Sequence, residues 1–159
     1  TASGRQVQAY DVYWDAASAS THGVRPRATP DELPASSDIV ARHRDLDEAT
    51  RGLIDADSIE TMKDGVVIIN CARGEVVDTD ALAAALHAGK VGGYGADVLD
   101  VEPPPADHPL FSTPNTAITT HIGSRTYESV VRQATKATQN AIGFVNGTPP
   151  VAQANVLPE

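Results

Sequence analysis

With a single cysteine, Cys71, the chain of 159 residues has no means of building an internal disulfide framework, so its fold must rest on an apolar core. Its apolar runs are all too short to cross a bilayer. Basic residues are few: 12 Lys and Arg face 21 Asp and Glu, for a formal net charge of -9 and a pI of about 4.8. That balance argues against a nucleic-acid surface and against a polybasic membrane patch, and leaves small molecules or other proteins as partners. Thr1 opens no secretory signal pattern, so a reducing cytoplasm is the expected compartment. Internal repeats and low-complexity tracts are missing too. At 41% hydrophobic residues, the composition suits one ordinary domain.

What is present is an alternation of short β-type runs with helical ones. The runs are VQAY from Val7 to Tyr10, DIVA from Asp38 to Ala41, VVIIN from Val66 to Asn70, GYGADV from Gly93 to Val98 and AITT from Ala117 to Thr120. This βαβ rhythm predicts an open parallel α/β sheet. VVIIN is apolar almost throughout, as expected of a strand covered on both faces. Asp78 is placed to cap a helix with Leu82, Ala85 and Leu86 on its apolar side, and Gly89 to stop it. A second helix is predicted from about Tyr127 to about Asn146, closed by Gly147, Pro149 and Pro150. The stretch from Glu102 to Asp107, with three consecutive prolines, reads as a rigid loop.

Three chemical groups follow the ends of such runs: Arg73 in NCARGEVVD, Glu102 in DVLDVEPPP and His121 in TTHIGS. Ligands of open α/β sheets collect beyond the carboxyl ends of the strands. The pattern therefore predicts that Arg73, Asp97 with Glu102, and His121 converge. A guanidinium fork, a carboxylate and an imidazole are the parts needed to hold an α-keto acid and exchange a proton with it. The chemistry they suggest is reversible reduction of a 2-keto acid. Singly, an exposed Arg, Glu or His is usually a solvated surface group; the ordered trio carries the reading.

Asp11 ends the first run, where a Rossmann fold places an acid to accept hydrogen bonds from the adenosine ribose, a choice that favours NAD over NADP. An Asp after a strand is also a common turn former. Cys71 reads as a small packing residue, since no nearby His or helix start would activate its thiol. His22, His87 and His108 lack metal-ligand spacing and read as surface or loop histidines. Asp107 beside His108 has no further ligands in its Pro-rich loop, so no metal site is expected.

NCARGEVVDTDALAAAL, GADVLDVEPPPADHPLF and the HIG segment, in this order and spacing, resemble the D-isomer-specific 2-hydroxyacid dehydrogenases. The likeness runs from Asp11 to the PPVAQAN tail, with a tilt toward the phosphoglycerate and hydroxypyruvate reductase branches. It implies an NAD-dependent oxidoreductase transferring a hydride between the nicotinamide and a D-2-hydroxy acid or 2-keto acid. It implies Arg73 as the substrate-carboxylate residue, His121 as the proton donor and Glu102 as its acid partner. Cys71, Ala72 and Arg73 match the segment along the nicotinamide, Asp97 an acid near the carboxamide, and His121 and Gly123 a segment that also meets the nicotinamide. His43 matches a histidine at the adenine edge. Arg44 and Asp45 depart from the threonine-like residue and proline that usually follow it, so that edge is altered. A homodimer through the cofactor domains is implied as well. Because the family also includes an NAD-binding transcriptional co-repressor, an NAD-responsive interaction protein acting by dimerisation is the alternative reading.

A dinucleotide fold needs a GxGxxG turn opening its first helix, roughly 20 residues before the ribose acid. Only ten residues precede Asp11, and TASGRQVQAYD reads as the end of that helix running into the second strand. The expectation is a partial Rossmann-type doubly wound parallel sheet lacking the first strand and glycine loop. Residues 1–147 would be the C-terminal part of the NAD-binding domain with the catalytic residues. Residues 148–159 would be a tail returning to a substrate domain that is mostly absent. In the strand order 3-2-1-4-5-6 the missing strand is central, so two inner edges should stand unpaired. The chain is therefore expected to be unstable alone and to belong with an N-terminal part of the same enzyme.

Overall fold

The structure is a computed structural model that describes residues 4–43 and 45–150. The chain runs β1 (Val7–Ala9), α1 (Ala16–His22), β2 (Val24–Pro26), α2 (Glu32–Ser36), β3 (Ile39–Arg42), α3 (Ala56–Thr61), β4 (Val66–Asn70), α4 (Thr79–Ala88), β5 (Val91–Ala96), β6 (Thr116–Ile118) and α5 (Tyr127–Val145). It divides into two compact units, Thr1–Thr120 and His121–Glu159.

In the first unit every strand pairing is parallel, as expected of a doubly wound α/β sheet. The strands form two sheets, one ordered β1-β2 and the other β3-β4-β5-β6. β1 and β3 each end a sheet, which is where the predicted order leaves two edges without a central strand. Side chains tie β1 to its surroundings instead. Gln8 Nε2 donates to Ser36 Oγ at 2.8 Å and Ser37 Oγ at 2.9 Å, and Gln8 Oε1 accepts from Arg27 Nε at 2.7 Å.

The core lies between the four-stranded sheet and the helices α3 and α4. Val40 of β3, Val66 and Ile68 of β4, and Val91, Tyr94 and Ala96 of β5 pack with Ile59 of α3 and Leu82, Ala83 and Leu86 of α4. Local chemistry fixes both helices. Asp55 and Ser58 form a reciprocal capping box at the start of α3. Asp78 accepts from Ala81 N at 3.0 Å at the start of α4, and Gly89, at φ 76°, ends it, as the sequence predicts.

β4 departs from the expectation of burial on both faces. Val66, Ile68 and Asn70 are buried, whereas Val67 and Ile69 are only half-buried. The reason is local: their face meets Gly93 and Gly95 of β5, which offer no side chain to cover it. A Cβ on Gly95 would stand 2.9 Å from Ile69 Cδ1. β5 also starts and ends two residues earlier than its sequence suggests. A bulge pairs Val66 with Val91 but Val67 with Gly93, leaving Gly92 as the extra residue. A Cβ there would sit 2.5 Å from the Gly65 carbonyl oxygen, so the bulge requires glycine.

In the second unit, Thr126 Oγ1 accepts from Ser129 N at 3.1 Å to start α5, and Gly147, at φ 76°, follows its Asn146 cap. None of the described helices is long and apolar enough to cross a membrane.

Candidate active site

The carboxyl ends of β4 and β5 carry the candidate residues Cys71, Ala72, Arg73 and Asp97 of the first unit, and Asn70 organises the turn after β4. Asn70 is fully buried at the last position of β4. Its Oδ1 accepts from Ala72 N at 3.0 Å and its Nδ2 donates to the Arg73 carbonyl at 2.9 Å. Both functions of one amide thus fold the segment from Cys71 to Arg73 into a turn. Exposed Cys71 and Arg73 flank buried Ala72 in that turn. Arg73 Nη1 donates to the Ala72 carbonyl at 2.6 Å, and Arg73 N-caps the 3-10 turn Gly74–Val76. Tyr94, packed beneath, has its phenol pushed up to about 12 by burial, with the Asn70 side chain opposing that rise. The sequence marks Asn70 only as the end of a strand. The signal available was a lone amide closing an apolar strand just before the arginine turn.

Asp97 follows β5 directly. Its backbone N donates to the Asn70 carbonyl at 3.1 Å, and its carboxylate accepts from Thr119 Oγ1 beyond β6. The ends of β4, β5 and β6 are thereby laced together. The next contact is tighter still. A Cβ on Gly74 would fall 1.9 Å from Leu99 C and 2.2 Å from Asp100 N, so the turn after Arg73 lies backbone to backbone against the start of the Glu102 loop. Glu102 is exposed, and its Oε1 accepts from Leu99 N at 2.9 Å. Arg73, Asp97 and Glu102 therefore belong to one cluster of loops at the carboxyl edge.

His108 lies in a loop, as the sequence suggests, but is not a surface histidine. It is 4% exposed, and its Nε2 lies 2.9 Å from Asp100 Oδ1. Its partner is thus Asp100, eight residues back, which closes the base of the loop. A histidine's burial depends on which partner the chain brings to it, and the prolines between conceal this one. Among the described residues no group of three or more His, Cys, Asp or Glu side chains could hold a metal ion.

Asp11 follows β1 and is exposed, with Oδ1 accepting from Tyr13 N at 2.8 Å in an Asx turn. His43 is exposed just after β3, and Arg44 lies outside the described residues. His121 and Gly123 belong to the second unit. His121 is exposed and has a left-handed backbone, φ 54°, uncommon for a residue with a side chain.

Known proteins of one family resemble this chain. The family model for "D-isomer specific 2-hydroxyacid dehydrogenase, NAD binding domain" matches residues 1–123. The chain is 36% identical over 153 residues to D-3-phosphoglycerate dehydrogenase of Bacillus subtilis (strain 168), covering 96% of this chain and 29% of that protein. It is 37% identical over 146 residues to hydroxypyruvate reductase of Blautia hydrogenotrophica, covering 92% and 45% respectively. Among solved structures, D-lactate dehydrogenase with NAD+ from Lactobacillus jensenii matches with a TM-score of 0.86 at 29% identity, over 98% of this chain and 50% of that one. The chain thus spans half or less of each of these relatives. With the family model matched over residues 1–123, the chain belongs to the D-isomer specific 2-hydroxyacid dehydrogenases, within their NAD-binding domain.

Proposed function

We propose that the protein carrying this chain is a cytoplasmic, NAD-dependent D-2-hydroxyacid dehydrogenase that interconverts a 2-keto acid and a D-2-hydroxy acid of the hydroxypyruvate or phosphoglycerate type. The observation that carries this reading is the turn pinned by Asn70, which sets Arg73 out at the carboxyl end of β4. A planar guanidinium there suits the carboxylate of a keto acid, and its fixed fork of donors orients the adjacent carbonyl as a lysine would not.

His121 is assigned as the acid that protonates the developing alkoxide, and Glu102 as the carboxylate that favours its imidazolium form. Such a general acid contributes about 10² to 10⁴ in rate. NAD supplies or accepts the hydride. The chain's residues fit it at two places. Asp11 brings a carboxylate to the end of β1, which suits ribose hydroxyls and opposes a 2′-phosphate. Cys71, Ala72, Arg73 and Asp97 line the ends of β4 and β5, and with His121 and Gly123 they are assigned to the nicotinamide side. His43 and Arg44 are assigned to the adenine edge.

The first strand and glycine loop are assigned to an N-terminal part of the same enzyme. That strand would pair the free edges of β1 and β3. The assignment of residues 148–159 to a tail returning to its substrate domain falls mostly on residues 151–159, outside the described residues, and two copies would associate through their cofactor domains. The test is NADH oxidation by the complete protein with a panel of 2-keto acids including hydroxypyruvate. Arg73→Ala removes two charge-assisted hydrogen bonds, about 3 kcal/mol or more, so kcat/KM should fall at least about 10²-fold. A loss smaller than tenfold would remove Arg73 from the carboxylate role.

A further inference from the structure

Glu102 sits in a loop whose two ends meet in one half-buried polar contact, between a buried histidine and a partly exposed carboxylate. Asp100 precedes Glu102 by two residues, and His108 closes the loop from the other side, with Nε2 2.9 Å from Asp100 Oδ1. The histidine's orientation is fixed by its other nitrogen: Leu110 N donates to Nδ1 at 3.3 Å, so Nδ1 is the acceptor and Nε2 carries the proton toward the carboxylate. His108 N also donates to the Pro105 carbonyl at 3.1 Å, its ring packs on Phe111 with centroids 5.3 Å apart, and Leu110 is anchored in the core. Burial raises the Asp100 carboxyl, but hydrogen bonding from His108 and from Thr79, the first residue of α4, outweighs it and holds the group below the usual carboxylate range. One carboxylate therefore closes the two ends of the loop on each other.

Between these anchors the chain is stiff. Three prolines, 103 to 105, fix their own φ angles, so a displacement at the base is carried outward instead of being absorbed. Glu102 is held from the other side by its bond to Leu99 N, and Leu99 is pressed against Gly74, the residue after Arg73. The Asp100–His108 contact, the Glu102 bond to Leu99 N and the approach of Leu99 to Gly74 thus follow one another along one short stretch of chain beside the arginine turn.

We propose that Asp100 and His108 are positioning residues that clamp the Glu102 loop and thereby set the turnover of the enzyme without touching substrate or cofactor. The catalytic half of this proposal rests on the dehydrogenase reading above; the clamp itself does not. A staple that served stability alone would lower the unfolding temperature and leave kcat unchanged. A positioning clamp lowers kcat while KM for the keto acid stays near its original value, because the residue assigned to the carboxylate, Arg73, lies on a different turn.

The experiment compares His108→Leu, His108→Gln and Asp100→Asn in the complete protein. It combines steady-state keto-acid reduction with amide hydrogen exchange over residues 99–110. His108→Leu should lower kcat by about 10- to 100-fold, the cost of misplacing a catalytic group by about 1 Å, and should speed exchange of the loop amides at least about tenfold. His108→Gln keeps a donor where Nε2 stands and should recover most of both. If His108→Leu does not fold, Asp100→Asn keeps the shape, removes the charge and is read by the same criteria. Unchanged loop exchange and unchanged kcat in His108→Leu, or equal damage from Gln and Leu, would overturn the proposal. If the unmodified protein reduces none of the keto acids, the dehydrogenase reading falls, while loop exchange still decides the clamp.

Discussion

Gly74→Ala is the smallest change that sets the two halves of the first-unit site against each other. The added methyl would lie 1.9 Å from Leu99 C, 2.1 Å from Leu99 O and 2.2 Å from Asp100 N. Ordinary carbon contacts stand at about 3.5–4.0 Å, so the two backbones must part by about 2 Å. No flexible side chain is available to yield. On one side, Val77 N donates to the Gly74 carbonyl at 3.0 Å and Asn70 holds the Arg73 carbonyl. On the other, Glu102 holds Leu99 N at 2.9 Å and the Asp100–His108 contact closes the loop. Overpacking of this kind costs about 1–3 kcal/mol, which for a domain of this size is a fall in Tm of several degrees, at about 2–4 °C per kcal/mol. Because the displacement separates the Arg73 turn from the Glu102 loop, activity should suffer beyond stability, by about 10²-fold in kcat/KM. Thermal unfolding and steady-state kinetics on the complete protein measure the two effects. A variant with Tm within about a degree of the parent and kcat/KM within twofold would refute the claim that glycine is needed for this close approach.

Asn70→Ala would leave Ala72 N without its acceptor and the Arg73 carbonyl with only the longer bond from Val76 N, at 3.3 Å. It should cost about 1–3 kcal/mol in denaturant unfolding and raise KM for the keto acid, since Arg73 loses the turn that orients it; an unchanged KM would separate the arginine from Asn70. Tyr94 gives a pH signature. Its phenol is raised by burial from 10.0 to about 12, so the folded state favours the protonated form. The stability this contributes is complete below about pH 10 and is lost as the pH rises toward about 12. Tyr94→Phe should remove that part of the alkaline loss in urea titrations at about pH 9 and about pH 11; equal losses in both proteins would assign it elsewhere.

The parts of the fold legible in the sequence are those whose signals are local. VVIIN announces β4 by its β-branched apolar run, and Asp78 with Gly89 brackets α4 because each end carries its own cap. Three elements carry no such signal. β2 is three residues long and includes Pro26, α2 contains Pro34 within five residues, and α1 is built from small and polar residues, none of them buried. α1 is held by its ends, with Asp15 accepting from Ser18 N at 2.9 Å and Gly23 turning at φ 65°, so no apolar periodicity marks it.

The candidate site divides along the same line. Arg73 and Glu102 were legible because charged groups just beyond apolar runs stand out chemically, whereas Asn70, Gly74, Asp100 and His108 act only in pairs that the fold assembles. Which pairs form is decided largely by the register of β4 against β5. The bulge pairs Val67 with Gly93 and so places Asn70 opposite Ala96, with Asp97 as the next residue, its N bonded to the Asn70 carbonyl. Were Gly92 paired regularly with Val67 instead of bulged, Asn70 would stand opposite Gly95 and Asp97 would lie one position farther out. Because side chains alternate between faces, a one-residue slip exchanges the buried face of a strand for the open one. The register that buries Ile68 against Tyr94 is therefore also the register that brings the Arg73 turn against the Glu102 loop. In this edge of the sheet, core packing and placement of the chemistry are a single constraint, and glycine at 92 is the residue that satisfies it.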